Sequence, residues 1–209
     1  MPNTTFRIFA RAPLLAAALF CGLSTLVSAA EESKTLYETQ YQGLAMGTLI
    51  TARLISPDAK AAQKLEELVS ERVDDYETLF TVHREGPLYE VNKRSGEWVE
   101  VDCRITELTE KAKAIAEASD RAFEPTIGTL VNVWKIGFGG DQVPARSDID
   151  AALKKVDYTK IETQREDNVC RMRIGKGQSI DLGAIAKGWI GTALTQDLEA
   201  AGATNVILD

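Results

Sequence analysis

Apolar positions between residues 65 and 80 recur at three- and four-residue steps: Leu65, Leu68, Val69, Val73, Leu79 and Phe80, with acids and bases between them. On a helix that spacing forms one apolar stripe, so a helix is expected from Pro57 to about Phe80. Leu108, Ala112, Ile115 and Ala116 make the same case for a helix over 105–121. Elsewhere the pattern is that of strands. Segments 35–42 and 48–55, the second mixing Leu49, Ala52 and Leu54 with Thr and Arg, predict a strand pair around a turn at 43–47. A short strand is expected over 98–101, after the Ser95-Gly96 turn. Pro125 suits a first helical turn, predicting a short helix over 126–134, and Gly137, Gly139 and Gly140 mark a loop after it. Ser147 to Asp150 has the form of a capping box opening a helix to Val156. Strands are expected over 158–163, 168–174 and 179–182, then a helix over 183–201 stopped by Gly202, and a strand over 204–208. Hairpins alternate with crossovers, without repeats or low-complexity linkers. The expected class is α+β, with mixed or antiparallel sheets and flanking helices.

The first thirty residues follow a different rule. Arg7 and Arg11 precede an apolar run from Leu14 to Val27, and the small residues Ser28, Ala29 and Ala30 lead into Glu31 and Glu32. A positive start, a short apolar middle and a small-residue exit predict a secretory signal peptide over 1–29 and a periplasmic destination. The run is shorter than the roughly 20 apolar residues of a membrane-spanning helix. A retained N-terminal anchor is the alternative. Lipid attachment at Cys21 is a third, disfavoured by the bulky Phe20 before it.

Charge narrows the partners. The chain of 209 residues carries 31 acidic and 24 basic side chains, a net charge of −7. Loss of Arg7 and Arg11 would make the mature chain, over 30–209, more acidic still. Such a balance argues against nucleic acid and anionic membrane surfaces, both of which are met by clustered Lys and Arg. Of the three cysteines, Cys103 and Cys170 remain after cleavage; in an oxidising compartment they either pair or stay buried as small hydrophobes. One histidine, His83, excludes a His-Glu-x-x-His zinc site, and no Gly-x-Ser-x-Gly elbow, Gly-x-Gly-x-x-Gly or Walker motif occurs.

Three segments carry candidate chemistry. In IDLGAIAKGW, residues 180–189, a strand delivers Asp181 and Gly183 starts a helix whose unpaired amides suit a phosphate, with Lys187 one turn on as a point charge. The plain alternative is a strand-to-helix turn capped by Asp181. In residues 122–139, Phe123 and Trp134 offer apolar area and Glu124 and Thr126 offer hydrogen bonds, as in a pocket wall, or else as in a buried short helix with a glycine loop. LAMGT, residues 44–48, is by itself a turn between strands.

Taken in order, these segments resemble the ApbE family of FAD:protein FMN transferases. The likeness runs from Met46-Gly-Thr through RAFEPTIGTLVNVWKIGFG, against a family stretch like GAFDPTVGPLVNLWGFG, to IDLGAIAKGW, against IDLGGIAKGY. The resemblance implies a T-fold-related flavin transferase architecture and a reaction in which an acceptor threonine or serine hydroxyl attacks FAD, taking FMN and releasing AMP with magnesium present. Carried over residue by residue, it implies that Met46, Ala122, Phe123, Glu124, Asp181 and Lys187 contact FAD and that the Ala184 carbonyl ligates magnesium. It implies acceptor proteins such as subunits of membrane redox complexes. A non-catalytic flavin-binding protein and a magnesium-dependent FAD pyrophosphatase are the alternatives.

Two departures stand out. Glu124 replaces the family's Asp, and Thr81, His83 and Pro87 stand where the family has a Phe-Ser-x-Tyr and a following Asp-Ser, so His83 is a candidate and no tyrosine contact is carried over. Members of the family run beyond 300 residues, with the side-chain magnesium ligands in a later segment. By that measure, the chain is expected to cover the front portion of such an enzyme.

Overall fold

A computed structural model of the chain describes residues 35–136 and 139–209. The signal-peptide reading of 1–29 and the loop glycine Gly137 lie outside the described residues. The elements, in order, are β1 (Tyr37–Ala45), β2 (Thr48–Ser56), α1 (Ala59–Phe80), α2 (Pro87–Lys93), β3 (Val99–Val101), α3 (Cys103–Ala118), α4 (Gly128–Trp134) and α5 (Arg146–Leu153). A 3-10 turn (Tyr158–Lys160), β4 (Glu162–Glu166), β5 (Val169–Arg173), α6 (Gly183–Ala200) and β6 (Asn205–Leu208) complete the chain. The class is α+β as expected, and the chain divides into two compact units.

The first unit takes in residues up to Leu44, Thr48–Glu71 and Leu194–Asp209. Its sheet has the order β1-β2-β6, with β6 antiparallel to β2 and Leu54 opposite Val206. Ala52, Leu54 and Ser56 point to the buried face, where Ala62, Leu65 and Val69 of α1 and Leu194 and Leu198 of α6 are also buried. β1 runs through Gly43, which had been expected in the turn. The hairpin is closed by Met46 and Gly47 alone, both at positive φ (51° and 72°), as a two-residue turn matched to strand twist requires.

The second unit takes in Ala45–Gly47 and Arg72–Ala193. Its antiparallel sheet has the order β3-β5-β4, with Val99 opposite Met172 and Val101 opposite Cys170. Ile105, Leu108 and Ala112 of α3 join a core with Leu88, Val91, Met172, Ile174, Ile180 and Leu182. Asp102 caps α3 by accepting from the Arg104 amide at 2.9 Å. The Arg104 guanidinium reaches back to Asp102 and to Asp75 and lies over the Tyr76 ring. Its hydrogen bond with the Asp102 carboxylate, more than their charge attraction, holds Asp102 below the usual carboxylate range and raises Arg104. Cys103, at the head of α3, and Cys170, on β5, form a disulfide, which decides between the two readings of these cysteines.

Several expected elements end or start elsewhere, each for a local reason. α3 stops at Ala118, short of 121, because Asp120 and Arg121 both take left-handed backbone (φ 51° and 66°). The capping box fails: Ala145 occupies the cap of α5 without a side-chain bond, and Ser147 lies inside the helix. Residues 158–160 form a 3-10 turn capped by Asp157, so β4 begins only at Glu162. The segment expected as a strand over 179–182 forms no regular strand: it makes a bridge from Ser179 to Ile127 and one backbone bond from Asp181 to Pro125, and side chains of Asn92 and Thr129 take further backbone groups. Helix α2 occupies a stretch for which no element was expected, with Pro87 in its first turn, where a missing N–H loses nothing.

Candidate active site

The two longest motif stretches lie side by side in the second unit. The Asp181 amide donates to the Pro125 carbonyl at 2.8 Å, Ile127 and Ser179 form a parallel bridge, and the Ser179 amide donates to Thr129 Oγ1 at 2.9 Å. Gly128 permits this closeness: a Cβ there would sit 2.7 Å from the Ser179 carbonyl oxygen, inside backbone contact distance. From the other side Asn92, on α2, pairs with both polar groups of the fully buried Ile180, accepting from its N–H at 2.7 Å and donating to its C=O at 2.9 Å. Buried Gln178 spans the next gap, accepting from the Gly175 amide and donating to the carbonyls of Lys155 and Asp157. Each of these bonds satisfies backbone that no regular strand pairs.

Beside this seam opens a cavity of about 860 Å³, lined among others by His83, Asn92, Thr129, Lys155, Gln178 and Asp181. The volume is within the range of small-molecule sites. Of the sequence-predicted residues, Asp181 borders the cavity, together with the candidate His83; Met46, Ala122, Phe123, Glu124, Ala184 and Lys187 do not. Met46 and Phe123 instead pack, half-buried, against the core cluster that also carries Ile185 and Trp189. The Met46 amide donates to Glu77 at 3.1 Å, and Trp189 meets Tyr76 and Phe80 edge-on.

The Glu124 side chain is turned into the protein. It is only 8% exposed, and its carboxylate accepts from the amide and hydroxyl of Thr126, the Tyr158 amide and the Arg121 guanidinium. The extra methylene relative to the family's Asp is used inside the protein. At the head of α6, Asp181 Oδ1 accepts from the Gly183 amide at 2.8 Å, so that amide is already capped. Gly183, Ala184, Lys187 and Gly188 are exposed, Lys187 pairs with no carboxylate among the described residues, and a Cβ on Gly188 would meet nothing within 4 Å. This turn therefore presents the positive end of an 18-residue helix, and one unpaired ammonium, to an anion.

Asn92, Thr129, Gln178 and Lys155 were not among the residues singled out in the sequence. They are joined to the site by bonds that span 21 to 88 residues and leave no local spacing.

Residues 46–209 match the family model described as "ApbE family". The chain belongs to the ApbE family. Proteins named FAD:protein FMN transferase are similar to it: one from Klebsiella pneumoniae is 35% identical over 72% of this chain and 46% of its own length, and one from Treponema pallidum 30% identical over 79% and 48%. The chain thus spans about half the length of these curated relatives. A crystal structure of an ApbE protein from Thermotoga maritima superposes with a TM-score of 0.70 at 29% identity, covering 82% of this chain and 56% of that one. The apo form of the Pseudomonas stutzeri flavinyl transferase ApbE, at 22% identity and TM-score 0.71, shares the fold, covering 82% and 58%.

For FAD the residues fit: half-buried apolar edges at Met46, Phe123 and Trp189 suit ring faces, and the α6 head suits a pyrophosphate. For magnesium they do not: among the described residues no group of three or more His, Cys, Asp or Glu stands together to hold a metal, and the carried-over ligand at Ala184 is one backbone carbonyl.

Proposed function

We propose that this ApbE-family chain acts in FAD:protein FMN transfer, with FAD as substrate and an acceptor-protein threonine or serine as nucleophile. The observation that carries this reading is the seam that sets the Glu124-Pro125 backbone against Asp181 and so places Ala122 and Phe123 on the same unit as the exposed head of α6. In the reaction an acceptor hydroxyl oxygen bonds to the FMN-side phosphorus, the bond from that phosphorus to the bridging oxygen breaks, AMP leaves, and the hydroxyl proton passes to solvent or a base. Transfer of this kind depends on positioning and charge neutralisation. Here Lys187 and the Ala184 amide would meet phosphate oxygens, Met46 and Phe123 would cover a ring face, and Asp181 would fix the helix head through the Gly183 amide. Magnesium enters this reading through the resemblance alone, since the residues present offer it a single backbone carbonyl. The reading includes export to the periplasm on the strength of the N-terminal pattern, and acceptors among membrane redox subunits on the strength of the resemblance.

The test is incubation of the protein with FAD, magnesium and a candidate acceptor, followed by intact mass of the acceptor. A gain of one FMN moiety, with AMP released, is the expected result. Free FMN appearing without acceptor would replace this reading with pyrophosphatase activity, and FAD bound but unchanged would replace it with simple flavin binding.

A further inference from the structure

Arg121 occupies left-handed backbone (φ 66°), a conformation that a side chain disfavours and glycine does not, and the family stretch has glycine there. Its neighbour Asp120 is left-handed too (φ 51°), so two successive non-glycine residues turn the chain out of α3 into the Ala122–Glu124 segment. The Arg121 guanidinium accounts for how this turn is held. It donates to Glu124 Oε2 at 3.2 Å and to the Val156 carbonyl at 3.0 Å, lies 3.8 Å from Asp157, and sits over the Tyr158 ring at 5.7 Å. Glu124, in turn, bonds both Thr126 and the Tyr158 amide. A carboxylate this buried needs a cationic partner, and among the described residues Arg121 reaches it. The two positions at which this chain differs from the start of the family's GAFD stretch are thus in contact with each other.

We propose that Arg121 and Glu124 form a coupled positioning pair: together they pin the 121–127 turn to Val156–Tyr158 and commit the Glu124 carboxylate inward, so that Ala122 and Phe123, rather than an acidic side chain, face the flavin nucleotide. This rests on the FAD reading above. Arg121 is a positioning residue in this arrangement, acting through Glu124 and the backbone.

The experiment is a double-mutant cycle with Arg121→Ala, Glu124→Gln and the double variant, reading the FAD dissociation constant by flavin fluorescence well below the melting temperature. Amide hydrogen exchange at 122–127 is read in the same proteins without FAD. The pair predicts that each single variant weakens FAD binding by about three- to tenfold and speeds exchange across the turn, with the double no worse than the poorer single. Arg121→Lys should rescue only in part, since both bonds come from the terminal Nη2, one bond farther from Cα than a lysine nitrogen reaches. Additive losses, or lower melting temperatures with FAD affinity unchanged, would overturn it. Should the parent chain bind no FAD, the FAD reading falls on its own, and non-additive or additive exchange rates still decide for or against the tether.

Discussion

The turn from Arg121 to Thr129 and the first turns of α6 belong to one candidate site, yet they are held in opposite ways. In the turn, side chains of Arg121, Glu124, Thr126 and Thr129 all bond inside the protein, to Val156, Asp157, Tyr158 and Ser179 among others. At the head of α6, one cap bond from Gly183 to Asp181 is made, and Ala184, Lys187 and Gly188 face outward. On the function proposed above, the difference separates two jobs. A ring system is recognised by a surface already in place, because ordering it on binding would consume affinity. A phosphate is recognised by field and by unpaired N–H groups, which need to stay open until it arrives.

The contrast can be broken from the closed side first. The Cys103–Cys170 disulfide joins residues 67 apart and encloses the whole 121–129 turn, while α6 lies outside the loop. Reduction, or Cys103→Ser with Cys170→Ser, is expected to lower unfolding stability by roughly 2–5 kcal/mol in urea titration and to raise amide exchange in the turn more than at the α6 head. Asn92→Ala comes next. It leaves both backbone groups of buried Ile180 unpaired and is expected to lose roughly 2–3 kcal/mol in the same titration, whereas a loss near zero would mean that the seam is held without α2.

From the open side, Gly188→Ala places a methyl where nothing is met and removes a flexible residue from a helix interior. Stability should rise by about 0.5–1 kcal/mol, a gain seen as a higher melting temperature. FAD affinity should fall, because the methyl stands on the face offered to the ligand; an unchanged affinity would place the ligand away from that turn.

The smallest effect is in acid. Hydrogen bonds from Thr159 hold the Asp157 carboxyl below its usual range, and that from Arg104 does the same for Asp102. A depressed folded value means stability that is fully present above the unfolded value, about 3.9, and lost as pH falls through the folded one. Stability measured from neutral pH downward should therefore stay level and then decline below about pH 4, and Asp157→Asn should flatten part of that limb.

What could be seen in the sequence follows the same division. Helices α1 and α3 announce themselves by three- and four-residue apolar steps, α6 by the Gly202 that stops it, and the strands β2, β3 and β5 by composition and turns. The ends of these elements are less visible: nothing local to Asp120 and Arg121 signals left-handed backbone, because both contain a side chain that disfavours it, and the compensation comes from residues 156–158. α2 was hidden by the Pro87 that starts it. For the site, the motif order brought out Asp181 and the α6 head, while the inward direction of Glu124 depended on Tyr158, 34 residues away. Cys103 and Cys170 showed that they could pair, not that they do.

The bond between Asn92 and Ile180 joins positions 88 residues apart. A ribosome adding residues at about 5–20 per second therefore leaves α2 without its partner for several seconds. Until the IDLG stretch has emerged, the pocket wall has nothing to close against, and every nascent chain passes through an interval in which Leu88 and Val91 are exposed. Any factor that shields the chain in that interval, or carries it elsewhere before it folds, must engage it before that wall is complete.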